Sequence, residues 1–141
     1  MTGPRRACTL DAKKRLTIPS EWRELVKTSG FVYVIAERPK CLMLLPPAEM
    51  DQRMEKVRQM PLVKGSVSLL SKVAEFSEHV KMDPQGRIRI CDRLLEFAEI
   101  EDKAVAVPAM DRLLLWSPAR APAEKPVDVD ELMMALEELG I

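Results

Sequence analysis

Leu10–Val26 reads LDAKKRLTIPSEWRELV and Met82–Ala98 reads MDPQGRIRICDRLLEFA: one pattern written twice, 72 positions apart. At that offset Asp11 answers Asp83, Arg15 answers Arg87, Leu16 answers Ile88 and Ile18 answers Ile90. Trp22 answers Leu94, Leu25 answers Phe97, and Val26 answers Ala98. Self-similarity of this kind fixes how the rest of a chain is read, because each copy is one supersecondary unit. In each copy an Asp opens a tight turn (AKK or PQG) and an alternating strand restarts at the Arg. Leu16 and Ile18 then point to one side of their strand, with Arg15 and Thr17 on the other. Ile88 and Ile90 point inward in the same way, and Arg87 and Arg89 share the outer face.

Outward from the repeats, a short helix follows each strand. Ser20 is expected to cap Ser20–Val26, with Pro19 before it, and Asp92 to cap Arg93–Glu99. Trp22, Leu25 and Val26 form the apolar face of the first helix, and Leu94, Leu95, Phe97 and Ala98 that of the second. Gly30 ends the first helix. Two apolar strand pairs come next: Phe31–Ala36 with Cys41–Leu45, and Ala104–Val107 with Leu113–Trp116, with a one-residue slip in the second turn. Their turns are Glu37–Lys40 (ERPK) and Ala109–Arg112 (AMDR).

Between the copies the period changes to helical. Met50, Met54 and Val57 make one stripe, Pro61 stops it, and Val67, Leu70, Val73 and Ala74 make a second. Ser77–Met82 alternates again and leads into the second Asp. Residues 117–126 (SPARAPAEKP) form a proline-rich linker. Asp128–Leu139 is an acidic amphipathic helix capped by Asp128 or Asp130, with Leu132, Leu136 and Leu139 as its stripe. The division is therefore 1–47 as a first half, 48–76 as a helical insert, 77–118 as a second half, and 119–141 as linker plus helix. The shared core draws on Leu16, Ile18, Val32, Val34, Ile88, Ile90, Val105 and Leu115.

Composition narrows the function. The chain has 141 residues, 47% of them hydrophobic, which fits one folded domain or two half-domains and excludes wholesale disorder. Apolar runs are strand-length, so no bilayer-spanning helix is expected, and the basic Met1–Arg6 lacks the apolar stretch of a secretory signal. Three widely spaced cysteines, Cys8, Cys41 and Cys91, read as core or strand residues in a reducing compartment rather than as a disulfide framework or metal site. The lone histidine, His79, reads as an exposed strand residue beside Lys81. With no phosphate-binding glycine loop or metal-ligand spacing, neither catalysis nor a cofactor, metal or small-molecule substrate is expected. The methionines of the insert and both tryptophans read as core.

Charge is balanced over the whole chain, 22 basic against 22 acidic, but not along it. Residues 1–28 hold seven basic and three acidic side chains, whereas 119–141 hold two and six. Net charge therefore exerts no global pull on nucleic acid, and the basic front end allows a local one. In each turn the Asp can accept bonds from turn amides, and the Arg four residues on can pair with that Asp or project to a phosphate. Sequence alone leaves a turn-stabilising ion pair and a phosphate contact both open.

The doubled unit of strand, Asp-x-x-x-Arg turn, strand, helix and hairpin resembles the MraZ family, within the wider AbrB-like group of swapped-hairpin barrels. DAKKRLTIPSEWREL and DPQGRIRICDRLLEFAEI are similar to that family's two repeats, and CLMLLP and LLLWSP to its closing strands. The resemblance implies an α+β fold: two tandem halves forming one β-barrel pseudo-dimer with flanking short helices. It implies a cytoplasmic, nucleoid-associated transcriptional regulator, a homo-oligomeric ring that binds double-stranded DNA repeats before the division and cell-wall gene cluster. Carried over by position, Asp11 and Asp83 stabilise the loops and Arg15 and Arg87 contact DNA. Lys13, Lys14 and Arg89 are expected to add phosphate contacts. Replacing Arg15 is expected to weaken binding more than replacing Arg23 on the adjoining helix. Two positions depart from the family pattern: Lys14 stands in place of a glycine, and Cys91 in place of a proline. The rival expectation is a protein-interaction or antitoxin-like module that uses residues 119–141 as its arm.

Overall fold

The computed structural model describes residues 1–61 and 66–141; the side chains of 66, 67 and 69, and with them the place of Val67, lie outside that description. The chain runs β1 (Arg6–Thr9), β2 (Arg15–Thr17), α1 (Ser20–Lys27), β3 (Phe31–Glu37), β4 (Cys41–Leu45), α2 (Pro47–Gln59) and α3 (Ser66–Glu75). It continues with β5 (Ser77–Lys81), β6 (Arg87–Arg89), α4 (Asp92–Phe97), β7 (Lys103–Pro108), β8 (Leu113–Trp116) and α5 (Val129–Glu138). The 72-residue offset persists through the strands: β3 and β7 begin at Phe31 and Lys103, β4 and β8 at Cys41 and Leu113. The one-residue slip expected in the second turn is therefore absent.

Six strands form an antiparallel sheet in the order β1-β7-β8-β4-β3-β5, and β2 pairs with β6 in a separate two-stranded ribbon. Exchanging elements 72 residues apart leaves this order unchanged. The first strand of each copy lies against the hairpin of the other, β1 on β7 and β5 on β3, and β4 meets β8 at the centre. The same reciprocity holds in the backbone, where Leu10 N donates to Asp102 O at 2.8 Å and Met82 N to Gly30 O at 2.9 Å. The sheet nevertheless ends at β1 and β5, so the strand pairing seen here is open and the expected closed barrel is not formed by it.

The core fills the space between sheet, ribbon and short helices. Leu16, Ile18, Val32, Val34, Ile88, Ile90 and Leu115 are buried as expected. Val105 is not. On β7 Ala104 and Ala106 face inward, and alternation turns Val105 to the other side. Trp22 and Val26 are buried on α1, but Leu25, about 100° around the helix from Val26, flanks that face and is 49% exposed. Neither short helix has the expected side-chain cap. Pro19 and Cys91 hold the cap positions, and Ser20 and Asp92 are already helical. At α5 the cap is Asp128, whose carboxylate accepts from Asp130 N and Glu131 N. Met50, Met54 and Val57 are half-buried along α2, whereas Leu70, Val73 and Ala74, the described residues of the second insert stripe, are exposed.

Candidate nucleic-acid interface

The two Asp-x-x-x-Arg turns are built alike, bond for bond. In the first, Asp11 Oδ1 accepts from Lys13 N and Arg15 N, both at 2.9 Å, and Oδ2 accepts from Arg15 Nε at 2.7 Å. In the second, Asp83 Oδ1 accepts from Gln85 N and Arg87 N at 2.9 Å, and Oδ2 from Arg87 Nε at 2.7 Å. Asp11 N donates to Arg15 O and Lys14 N to Asp11 O; Asp83 N donates to Arg87 O and Gly86 N to Asp83 O. Amide bonds, led by that from the Arg backbone, hold both aspartate carboxyls below the ordinary carboxylate range. Each carboxylate is thus a hub that ties its loop shut and aims one guanidinium.

The fourth turn residue is left-handed in both copies, with φ 59° at Lys14 and 80° at Gly86. Lysine therefore adopts the conformation that the glycine adopts freely, and the turn type survives the departure at position 14. Only Nε of Arg15 and of Arg87 is engaged; their terminal nitrogens have no protein partner among the described residues.

Strand pairing brings the turns onto one surface. Arg15 lies opposite Arg89 and Thr17 opposite Arg87, with Leu16 opposite Ile88 between them. Paired residues point the same way and alternate along a strand. Arg15, Thr17, Arg87 and Arg89 therefore share the outer face, and Leu16 and Ile88, each 1% exposed, anchor the inner one. Arg15 and Arg87 are diagonal neighbours, roughly 7–8 Å apart at Cα. Lys13 is exposed at the tip of the first turn. Lys14 Nζ bonds Asp92 Oδ1 at 2.9 Å, and Arg89 Nη1 donates to Ile90 O at 2.7 Å.

Sequence reasoning named Arg23 only as a comparison residue and missed its part in the second turn. From α1 its Nε and Nη2 both donate to Ile18 O, at 3.1 and 3.0 Å, and its side chain lies over Gly86 so closely that a Cβ there would collide with it. Ile18 N donates to Gly86 O at 2.8 Å, which completes the brace. A helix of the first copy thus supports the turn of the second. Only the 72-residue offset combined with strand exchange would have shown this, since Arg23 and Gly86 share no local pattern. Cys8 and Cys41 are buried and Cys91 half-buried, all three free. Among the described residues no helix is long and apolar enough to cross a membrane.

Fold and turns together define a class: an α+β protein of two interleaved copies of one motif, presenting twin Asp–Arg turns on a common outer face. The family model described as "MraZ protein, putative antitoxin-like" matches residues 1–71. The chain belongs to the MraZ family. It is similar to a protein named transcriptional regulator MraZ from Saccharopolyspora erythraea, 32% identical over 79% of this chain and 77% of that one. Proteins of the same name from Thiobacillus denitrificans (30% identical; 82% and 80% covered) and Clostridium acetobutylicum (27%; 94% and 94%) are also similar.

Proposed function

We infer that this chain is a DNA-binding transcription regulator and that the β2–β6 ribbon is its reading surface. The observation that carries the reading is the shared outer face of Arg15, Arg87 and Arg89, with the terminal nitrogens of the two turn arginines unpaired among the described residues. A two-stranded ribbon fits the major groove, and a guanidinium oriented through Nε still offers donors to a guanine edge or a phosphate. Lys13, Lys14 and Arg89 supply phosphate contacts, and Asp11 and Asp83 set the arginine geometry. The relatives' shared name supports the regulatory role.

In this reading 1–47 and 77–118 are the two halves of a swapped-hairpin pseudo-dimer, 48–76 is an insert and 119–141 an arm. Several chains in a homo-oligomeric ring would multiply weak contacts over repeated sites before the division and cell-wall genes. The test is fluorescence anisotropy with duplex from the chain's own upstream region and a scrambled duplex, at two salt concentrations. Wild-type affinity is expected to fall steeply with salt. Arg15→Ala and Arg87→Ala are each expected to lose at least roughly tenfold, as for one guanine contact. The control is Arg58→Ala, exposed on α2. Equal losses in all three variants would sink the assignment.

One observation favours a second role for the arm. Val129, Leu132, Met133, Met134 and Leu139 of the α5 region are exposed and Leu136 is half-buried, so most of its apolar stripe is uncovered among the described residues. Truncation after Ser117 separates an assembly cap, which alters oligomer size, from an arm that grips another protein, which alters only capture of that protein.

A further inference from the structure

Under exchange of the two copies the ends of the ribbon are not equivalent. At the first-turn end stand Lys14, Arg89 and Asp92; their counterparts 72 residues away are Gly86, Thr17 and Ser20, all uncharged. The added charges are mutually engaged: Asp92 Oδ1 takes Lys14 Nζ at 2.9 Å and lies 3.8 Å from Arg89 Nη2. Asp92 does not cap its helix, since Cys91 holds that position without a side-chain bond. Its carboxyl is held below the ordinary range, chiefly by the bond from Lys14, so it is ionised at neutral pH.

We propose that Asp92 is a built-in competitor for DNA phosphate: its carboxylate occupies Lys14 and shadows Arg89, which restrains sequence-independent binding at the first-turn end of the ribbon. This rests on the DNA-binding reading above and adds to it a residue that sets specificity. A phosphate approaching Lys14 must share or displace an existing anion, and the negative charge left beside it opposes binding. Guanine recognition by Arg15, whose aim comes from Asp11, is not subject to that competition. Asp92 therefore suppresses the phosphate contribution more than the base-reading one, and raises the ratio between them. The pair is about half exposed on both sides, which leaves it exchangeable with an incoming phosphate.

The experiment is anisotropy of a labelled mixed-sequence 30-base-pair duplex against the full chain across a potassium chloride series. Asp92→Asn, Lys14→Ala and the double variant are compared with wild type. Asp92→Asn is expected to tighten binding on the order of fivefold and to steepen the salt slope by about 0.9, as for one more phosphate neutralised. Lys14→Ala is expected to cost more in the Asp92→Asn background than in wild type, and the double variant to lose the gain. A wild type that binds while Asp92→Asn binds equally or more weakly overturns the proposal and leaves the DNA reading standing. Failure of both to bind any duplex overturns both; binding by the variant alone supports the proposal. Asp92→Ser, which carries the residue found at the equivalent position of the other copy, guards against a folding defect peculiar to asparagine and is expected to show the same gain.

Discussion

Lys14 holds a left-handed conformation at φ 59° that its counterpart Gly86 takes without a Cβ. Lys14→Gly is therefore expected to raise stability by up to about 1 kcal/mol through relief of that conformation, offset by the lost ion pair to Asp92. Thermal melts check this. The turn aspartates give a pH dependence with a definite sign. Their pKa values are depressed in the folded chain, so their stabilisation is present above the unfolded value, about 3.9, and is lost as pH falls through the lower folded values. Melts from pH 6 down to pH 2 should show that loss in wild type and its reduction in an Asp11→Asn, Asp83→Asn double variant. The tryptophans differ in one bond. Trp22 Nε1 donates to Thr2 O at 2.8 Å, whereas Trp116 Nε1 is buried with no partner among the described residues. Trp22→Phe should cost about 1 kcal/mol more than Trp116→Phe, measured by urea unfolding.

Each turn depends on an element supplied by the other copy. Gly86→Ala places a side chain against Arg23 and asks alanine to hold φ 80°, so it should destabilise by about 1–3 kcal/mol and weaken duplex binding in parallel. Arg23→Ala should weaken DNA binding through the second turn, although Arg23 lies on a helix and outside the reading face. The repeat made most of this legible in advance: Asp11, Asp83 and the alternation around Leu16 and Ile88 need only local chemistry. Strand exchange was expected only through the resemblance to swapped-hairpin barrels, because nothing in Arg6–Thr9 itself says whether it pairs with its own hairpin or with β7. Val105 was misread for a related reason. In Ala104–Val107 both faces are apolar, so alternation alone does not say which face is inner, and the register of β7 turns Ala104 and Ala106 inward. The caps failed because Pro19 and Cys91 already set extended backbone before each helix, which left Asp92 free to meet Lys14.

At the scale of the whole molecule, neither the six-stranded sheet nor the two-stranded ribbon is completed by one copy alone. β1 and β5 each rest on the hairpin of the opposite copy, and β4 and β8 join the two at the middle. A fragment holding residues 1–47 lacks the strand partners of β1 and β2 and one of the two neighbours of β3 and of β4, and it is expected to show no cooperative melt alone and to regain one when mixed with 77–118. Because every one of these junctions links one copy to the other, the bonds do not distinguish a partner on the same backbone from one on a neighbour. What keeps the arrangement private is the tether between β4 and β5, which holds its own second copy at high local concentration. Shortening that tether until the halves no longer reach one another would leave each strand still seeking its mate. The outcome would be molecules linked by mutual loan, closed as rings or running on as chains.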